Sequence, residues 1–267
     1  MEDVLYQPFP MLSGRRAQVW RHQPAYRRPR HFHVEPELNI VFSGWALMGV
    51  GRHQLLLQKG DVLFLKPAQD HVMLECSDDL ELIVLAAVPE LAARFSLDMI
   101  RAATRAVHIP HAECNRVQDV LFNLSGVSSA LPQEETVGSL FEWALSQSQQ
   151  GSSVSRRALS AIYRNEQQSA VDLARELKVP VSELSRHFSN DLGFRFVDAR
   201  ARLRLIRFIE SVDRGQTLTR AASDHFGSYA QCHRVFRKHL GCSPKEFFLG
   251  ARSEIAQATA RNFGSRE

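Results

Sequence analysis

Leu173-Ala174-Arg175-Glu176-Leu177-Lys178-Val179-Pro180-Val181-Ser182-Glu183-Leu184-Ser185-Arg186-His187-Phe188 decides the fold of the last third of this chain. Val171, Ala174 and Leu177 fall on one stripe of a helix predicted from Ala170 to Leu177, and the small Ala174 suits a close helix crossing. Lys178-Val179 makes a turn. Pro180 suits the start of the next helix, because the N–H it lacks has no intrahelical acceptor there. Val181 to Asn190 then forms a second helix with Leu184 and Phe188 inward and Ser182, Glu183, Ser185 and Arg186 outward.

The pattern returns about fifty residues later. Leu218 to His225 reads as a helix, Phe226-Gly227 as a turn, and Ser228 to His239 as a second helix closed by Leu240-Gly241-Cys242-Ser243-Pro244. Val235, Phe236 and Leu240 point to a core, and Tyr229, Gln231, His233, Arg234 and Arg237 point out. Arg186 and Arg234 are equivalent, each two residues after an inward Leu184 or Cys232 and two before an inward Phe188 or Phe236. Helix-turn-helix units of this kind set their second helix in the major groove of DNA. Between them a helix from about Arg195 to Val212 carries apolar Phe196, Val197, Leu203, Ile206 and Ile209 for packing. Its Arg200, Arg202, Arg204 and Arg207 are left to meet phosphates, and Gly215 ends it in a left-handed conformation. One rigid helix holding two units presents their recognition helices to successive major grooves about 34 Å apart. Arg186, Arg234, Gln231 and His233 are the expected base contacts and Arg204 and Arg237 the expected phosphate contacts, with Ser182, Ser185 and Tyr229 on the same exposed faces.

Residues 155 to about 252 resemble the DNA-binding domain of the arabinose-regulator (AraC/XylS) family, whose second half carries a glycine–phenylalanine pair, two further aromatics and a closing Gly-x-Ser/Thr-Pro. Here the phrase reads His225-Phe226, Cys232, Phe236, Gly241, Ser243 and Pro244. It departs at His225, where glycine is usual, with Gly227 available for the left-handed turn. It departs again at Cys232, where an aromatic is usual, with Tyr229 expected to compensate. In the first unit Pro180 stands where an N-cap serine is usual. The resemblance implies double-stranded DNA as partner, transcription regulation with RNA polymerase as a further partner of an activator, and dimerisation.

Charge divides along the same line. Residues 1–150 hold 13 Lys and Arg against 17 Asp and Glu, net −4, and residues 151–267 hold 20 against 12, net +8. A basic module joined to an acidic one suits a nucleic-acid-binding domain beside a domain of another kind. The polar run Ser146 to Ser153 between them has the composition of a flexible connection. The longest apolar run, Leu82 to Val88, is too short to cross a bilayer, and Met1-Glu2-Asp3 lacks a basic leader, so a cytoplasmic protein without membrane contact is expected. Cys76, Cys114, Cys232 and Cys242 have no metal-knuckle spacing and read as reduced thiols.

Residues 15 to 90 read as short strands, with runs at 38–42, 46–50, 54–57, 62–65, 71–74 and 80–88 separated by Gly-containing turns, which favours a small jelly-roll barrel. His31-x-His33-x3-Glu37, followed by Gly60-Asp61 and Pro67-x3-His71, resembles the two motifs of the cupin family and the sensing domains of many arabinose-regulator relatives. His31 and His33, two apart on a strand, share a face, so Glu37 and His71 can complete a site of three histidines and a carboxylate. Either a divalent metal binds there or the four residues frame a pocket for a small-molecule effector, and no cofactor is required. The arginine cluster Arg27-Arg28-Pro29-Arg30 is either a solvated loop or an arm over that pocket. Helical stretches at 90–107, 112–125 and 133–147 follow, the middle one with a Val117, Val120, Leu121, Leu124 stripe suited to core packing or to a homodimer.

The expected architecture is thus an α+β multidomain chain: a cupin-like β-barrel at 1–90, a helical linker at 91–150, and an all-α double helix-turn-helix domain at 155–252. The two units fall at about 171–192 and 218–241, and a tail covers 253–267. The expected function is a sequence-specific DNA-binding regulator and not an enzyme; the alternative is a metal-dependent oxygenase or isomerase of the cupin kind with a DNA-binding appendage.

Overall fold

A computed structural model of the chain describes residues 4–9, 11–22, 28–95, 99–100, 102–125 and 131–251. Arg27 and the tail at 253–267 lie outside the described residues. Among the described residues the N-terminal part holds ten strands: β1 Leu5–Tyr6, β2 Ala17–Arg21, β3 His31–Phe32, β4 Glu37–Ser43, β5 Trp45–Val50, β6 His53–Gln58, β7 Asp61–Leu65, β8 His71–Cys76, β9 Glu81–Ala87 and β10 Ala106–His108. They form two five-stranded sheets, ordered β1-β3-β8-β5-β6 and β10-β7-β4-β9-β2, which do not close into one continuous barrel. The six strands read from the sequence are all present; β1, β2, β3 and β10 were not singled out, being short or poorly patterned.

Strand parity positions the chemistry. On β4, Leu38, Ile40 and Phe42 join the apolar cluster that packs under the helices, and Val41 joins the cluster between the sheets with Met48, Leu57, Leu63 and Leu82. Successive side chains alternate faces, so Glu37 and Asn39, in step with Val41, point into the sandwich. The β4–β5 turn needs Gly44 at φ +66°, where a Cβ would meet Ser77 Oγ at 2.1 Å.

The single helix expected over 90–107 is broken up among the described residues there. One turn, α1 Pro89–Ala92, a 3₁₀ turn, Ala93–Phe95, and helical residues at 99–100 precede β10. The cause is the edge of β7: Ala106, Val107 and His108 pair with Leu63, Val62 and Asp61, satisfying backbone groups that a helix would leave open. Helices α2 His111–Ser125 and α3 Leu131–Gln147 then cover the outer sheet face through Leu121, Val137 and Phe141. The expected flexible connection is pinned instead. Gln149 O accepts from Ala103 N–H at 2.8 Å, and Ser152 N–H donates to Asp191 Oδ2 at 2.7 Å while its hydroxyl caps the next helix.

The C-terminal part is helical throughout: α4 Ser153–Arg164, α5 Ala170–Leu177, α6 Val181–Leu192, α7 Phe196–Asp213, α8 Leu218–Phe226, α9 Tyr229–Leu240 and α10 Pro244–Glu246, continued by a π turn over Phe247–Ala251. Ser169, Thr217 and Ser228 accept backbone N–H bonds as N-caps, Ser243 and Glu246 form a capping box, and Pro180 starts α6 without a side-chain cap. Gly215 is left-handed as expected, and Gly227 supplies the left-handed turn that His225 cannot.

Four packing expectations change. Val171 is exposed and Leu173 takes its place in the core; Val197 is exposed; Arg202, expected at phosphates, is 4% exposed. Tyr229 is exposed and does not compensate for Cys232; Phe208 fills that region, in edge-on contact with Phe226, Phe236 and Phe248. Phe236→Ala is expected to lower stability in urea unfolding by about 3–5 kcal/mol, whereas Val197→Ala should change it by no more than about 0.5 kcal/mol.

Candidate functional site

Two constellations carry chemistry. The first is the outer face of the recognition helices. Leu184, Phe188, Cys232 and Phe236 are each fully buried, so Arg186 and Arg234, set between them at the same offset, are both driven outward and are exposed. Ser182, Ser185, Tyr229 and Arg237 are exposed beside them, and Gln231 and His233 are partly exposed. Arg234 donates to Gln231 Oε1, joining two of the expected base contacts. Arg237 donates to Gly241 O and faces Glu246 at 3.6 Å. Arg204 is half-buried and donates to Glu166 O at 3.1 Å and Gln167 Oε1 at 2.8 Å, bracing the α4–α5 loop against α7. His225, the departure from glycine, links three elements: Nδ1 meets Glu166 Oε1 at 3.1 Å and Nε2 meets Ser211 Oγ at 2.9 Å.

The second constellation lies inside the sandwich. His31, His33 and His71 are buried, and one ring nitrogen from each lies within 4.8 Å of the others. Their Nδ1 atoms donate to Pro29 O (2.9 Å), Glu35 O (2.8 Å) and Gln69 O (3.1 Å). A carbonyl can only accept, so each Nδ1 keeps its proton and each Nε2 lone pair is turned to the common centre. Glu37 Oε2 stands 3.0 Å from His33 Nε2 and 3.8 Å from His71 Nε2, with Asn39 donating to its other oxygen at 2.7 Å. Facing lone pairs on His33 and Glu37 require a proton or a cation between them, so the donor set fits a divalent metal. Arg28 Nη1, 3.3 Å from His31 Nε2, holds that ring until a ligand replaces it.

Burial drives His31 well below the usual histidine range, and burial brings His71 down to about 4 despite the pull of Glu37. Burial alone would raise Glu37, but the neighbouring His71 and His33 rings and the bond from Asn39 outweigh it and hold it at about 2. Phe9, Arg28, Asn39, Met48 and Met73 complete the cavity, whose volume is about 70 Å³. Parity with Val41 was the available signal for Asn39; no local pattern pointed to Arg28. Arg28 and Arg30 are thus folded inward, Arg28 on the pocket and Arg30 onto Asp70, rather than forming a solvated loop.

Residues 173–249 match a family model described as a helix-turn-helix domain. The chain carries a helix-turn-helix domain over these residues. No curated protein matches the chain significantly. Among solved structures it is similar to ToxT from Vibrio cholerae, with 13% identity, 87% of this chain and 96% of that chain covered, and a TM-score of 0.46. It is also similar to the AraC-like transcriptional activator CuxR, with 14% identity, 76% of both chains covered and a TM-score of 0.36. The C-terminal domain of the response regulator AraT from Geobacillus stearothermophilus is similar at 22% identity over 36% of this chain and 84% of that one, with a TM-score of 0.34.

The helix-turn-helix domain is not a separate body. Tyr6, Phe32 and Ala68 of the sandwich belong to the same buried apolar cluster as Leu184, Phe188 and Phe236 of the domain. His239, at the end of α9, donates from Nδ1 to Val4 O at 2.8 Å, and burial lowers it to about 4. The unfolded chain protonates His71 and His239 near the usual pH of about 6.5, the folded one only near 4. Stability is therefore fully present above about pH 6.5 and is lost as pH falls toward 4, by a few kcal/mol. Urea unfolding of metal-free protein at pH 7, 5.5 and 4.5 should show this decline, and His71→Gln or His239→Gln should flatten it.

Proposed function

We propose that the chain is a cytoplasmic, sequence-specific DNA-binding transcription regulator, not an enzyme. The observation that carries this reading is the pair of recognition helices whose equivalent arginines, Arg186 and Arg234, are held outward by identical buried flanks and joined by one continuous helix, α7. The recognition-face residues Arg186 and Arg234 are exposed while the sandwich is docked. RNA polymerase is the further partner if the bound protein activates.

The pocket of His31, His33, His71 and Glu37 is the proposed sensing site. Its volume of about 70 Å³ is far below the roughly 300–1,000 Å³ of sites for drug-sized ligands, which favours a metal ion or a very small effector. The same donor set would serve a metal-dependent oxygenase or isomerase; the small cavity volume supports the sensing reading over that alternative. When bound, a divalent metal would tie the three Nε2 atoms and Glu37 together. A homodimer is proposed along α2 and α3, where Val117, Val120 and Trp143 floor a groove rimmed by Glu113, Arg116 and Glu135. A twofold axis can set the arginine of one copy against the acids of the other.

Selection from a random DNA library with the full chain should enrich a site about two helical turns long. Arg186→Ala and Arg234→Ala should each relax a different half and weaken binding by about 1–3 kcal/mol; enrichment of nothing, with affinity lost uniformly with salt, would remove the regulator reading. Metal binding is checked with Co²⁺: the full chain should show visible absorption bands at one equivalent, and His33→Ala should lose them.

A further inference from the structure

The seam between the sandwich and the helix-turn-helix domain is built from residues next to the histidine cluster. Asp70 immediately precedes His71. Its side chain, 5% exposed, accepts from Arg202 Nη1 of α7 at 2.5 Å and from Arg30 Nη1 at 3.0 Å. Gln69 holds His71 through its carbonyl, and its side-chain amide donates to Leu192 O at the end of recognition helix α6, at 2.9 Å. Phe32 lies between His31 and His33, so strand alternation turns it from the cavity toward the domain. There its ring meets the Arg202 guanidinium at 5.2 Å and the His239 ring, at the end of recognition helix α9, at 5.4 Å. Gly51 follows Val50, which pairs with His71. The next residue, Arg52, donates its N–H to Gly193 O at 2.6 Å and its guanidinium to Asn190. That backbone approach requires glycine at 51, where a Cβ would lie 2.2 Å from Gly193 O.

Each of these contacts on the domain side falls at the C-terminal end of a recognition helix or on the helix that joins the two, and Tyr163 of α4 adds a further bond to Pro67 O at 3.0 Å. The sandwich therefore fixes the ends of α6 and α9 that lie away from the expected base contacts, and with them the relative setting of both reading faces. The strand side can respond to the pocket: among the described residues, β3 is paired to β8 at one position, His31 opposite His71. Drawing three Nε2 atoms onto a common ligand shifts β3 against β8 where the ladder is thinnest, carrying Phe32, Gln69 and Asp70 with it.

We propose that Phe32, Gln69, Asp70 and Arg202 are positioning residues that convey the state of the histidine cluster to the two recognition helices, with the buried Asp70–Arg202 pair as the principal link. This rests on reading the cluster as a ligand site, and its test separates the two ideas. DNA affinity of the full chain is measured on one selected site, with and without saturating Co²⁺, and also for His71→Leu, which perturbs the cluster without any ligand. Each perturbation is applied to the native chain, to Arg202→Met and to Asp70→Asn/Arg202→Met; the double variant removes both partners, so no charge of this pair is left buried alone.

The expected result is a change in DNA affinity of about fivefold or more in the native chain, in the ordinary range of coupling between sites, shrinking below about twofold in both link variants. Co²⁺ should bind the variants as tightly as the native chain. Equal changes in all three backgrounds, or none in the native chain, would overturn the proposal. Failure of Co²⁺ to bind, with the His71→Leu effect still dependent on Arg202, would remove the metal reading and leave the link standing.

Discussion

A carboxylate buried between two guanidinium groups, one from each half of the molecule, is the interaction on which the arrangement of this protein depends. Taking Asp70 and Arg202 out of water costs several kcal/mol per ion, and their contact at 2.5 Å, the second bond from Arg30 and the Phe32 and Phe194 rings beside Arg202 offset that cost. Such a pair is weak as a source of stability and strong as a determinant of geometry, because each charge is best satisfied only when the two halves are docked in this one arrangement. It makes the docked arrangement specific, while the apolar cluster shared across the seam supplies the favourable free energy.

The two functional regions obey opposite rules. The recognition faces are ordinary solvated surface, and their chemistry lies in the placement of exposed arginines by buried flanks. The histidine pocket is the reverse: burial strips His31 and His71 of their protons, second partners fix every Nδ1, and Glu37 stays ionised because the rings around it favour its charge. Three ring nitrogens and one carboxylate make a donor set that fits a cation, and the position beneath β3 and β8 puts it one residue from the seam.

Most of the helical domain was legible from the sequence, since helix spacing, Pro180, Gly215 and Gly227, and the N-cap residues are local signals that local hydrogen bonding enforces. Six strands and the histidine set were legible for the same reason, as alternation and i, i+2 spacing survive folding. The misplacements share one cause. Val171 and Val197 are apolar but no neighbour covers them, Arg202 is charged but the sandwich supplies Asp70, and residues 106–108 form a strand because β7 presents an open edge. The connection at 148–152 has a flexible composition and is nevertheless pinned from both sides.

The sequence by itself determined the two helix-turn-helix units, the outward arginines and the shared face of His31 and His33, because each follows from the period of a helix or a strand over a few residues. Only the tertiary structure decided that Arg202 is a link rather than a phosphate contact, that Arg28 and Arg30 turn inward, and that pocket and recognition helices share one seam. The Arg202 link and the shared seam depend on which surfaces meet across more than a hundred residues of chain, Arg30 finds its partner forty residues away, and no local pattern encodes the partner that a buried charge will find.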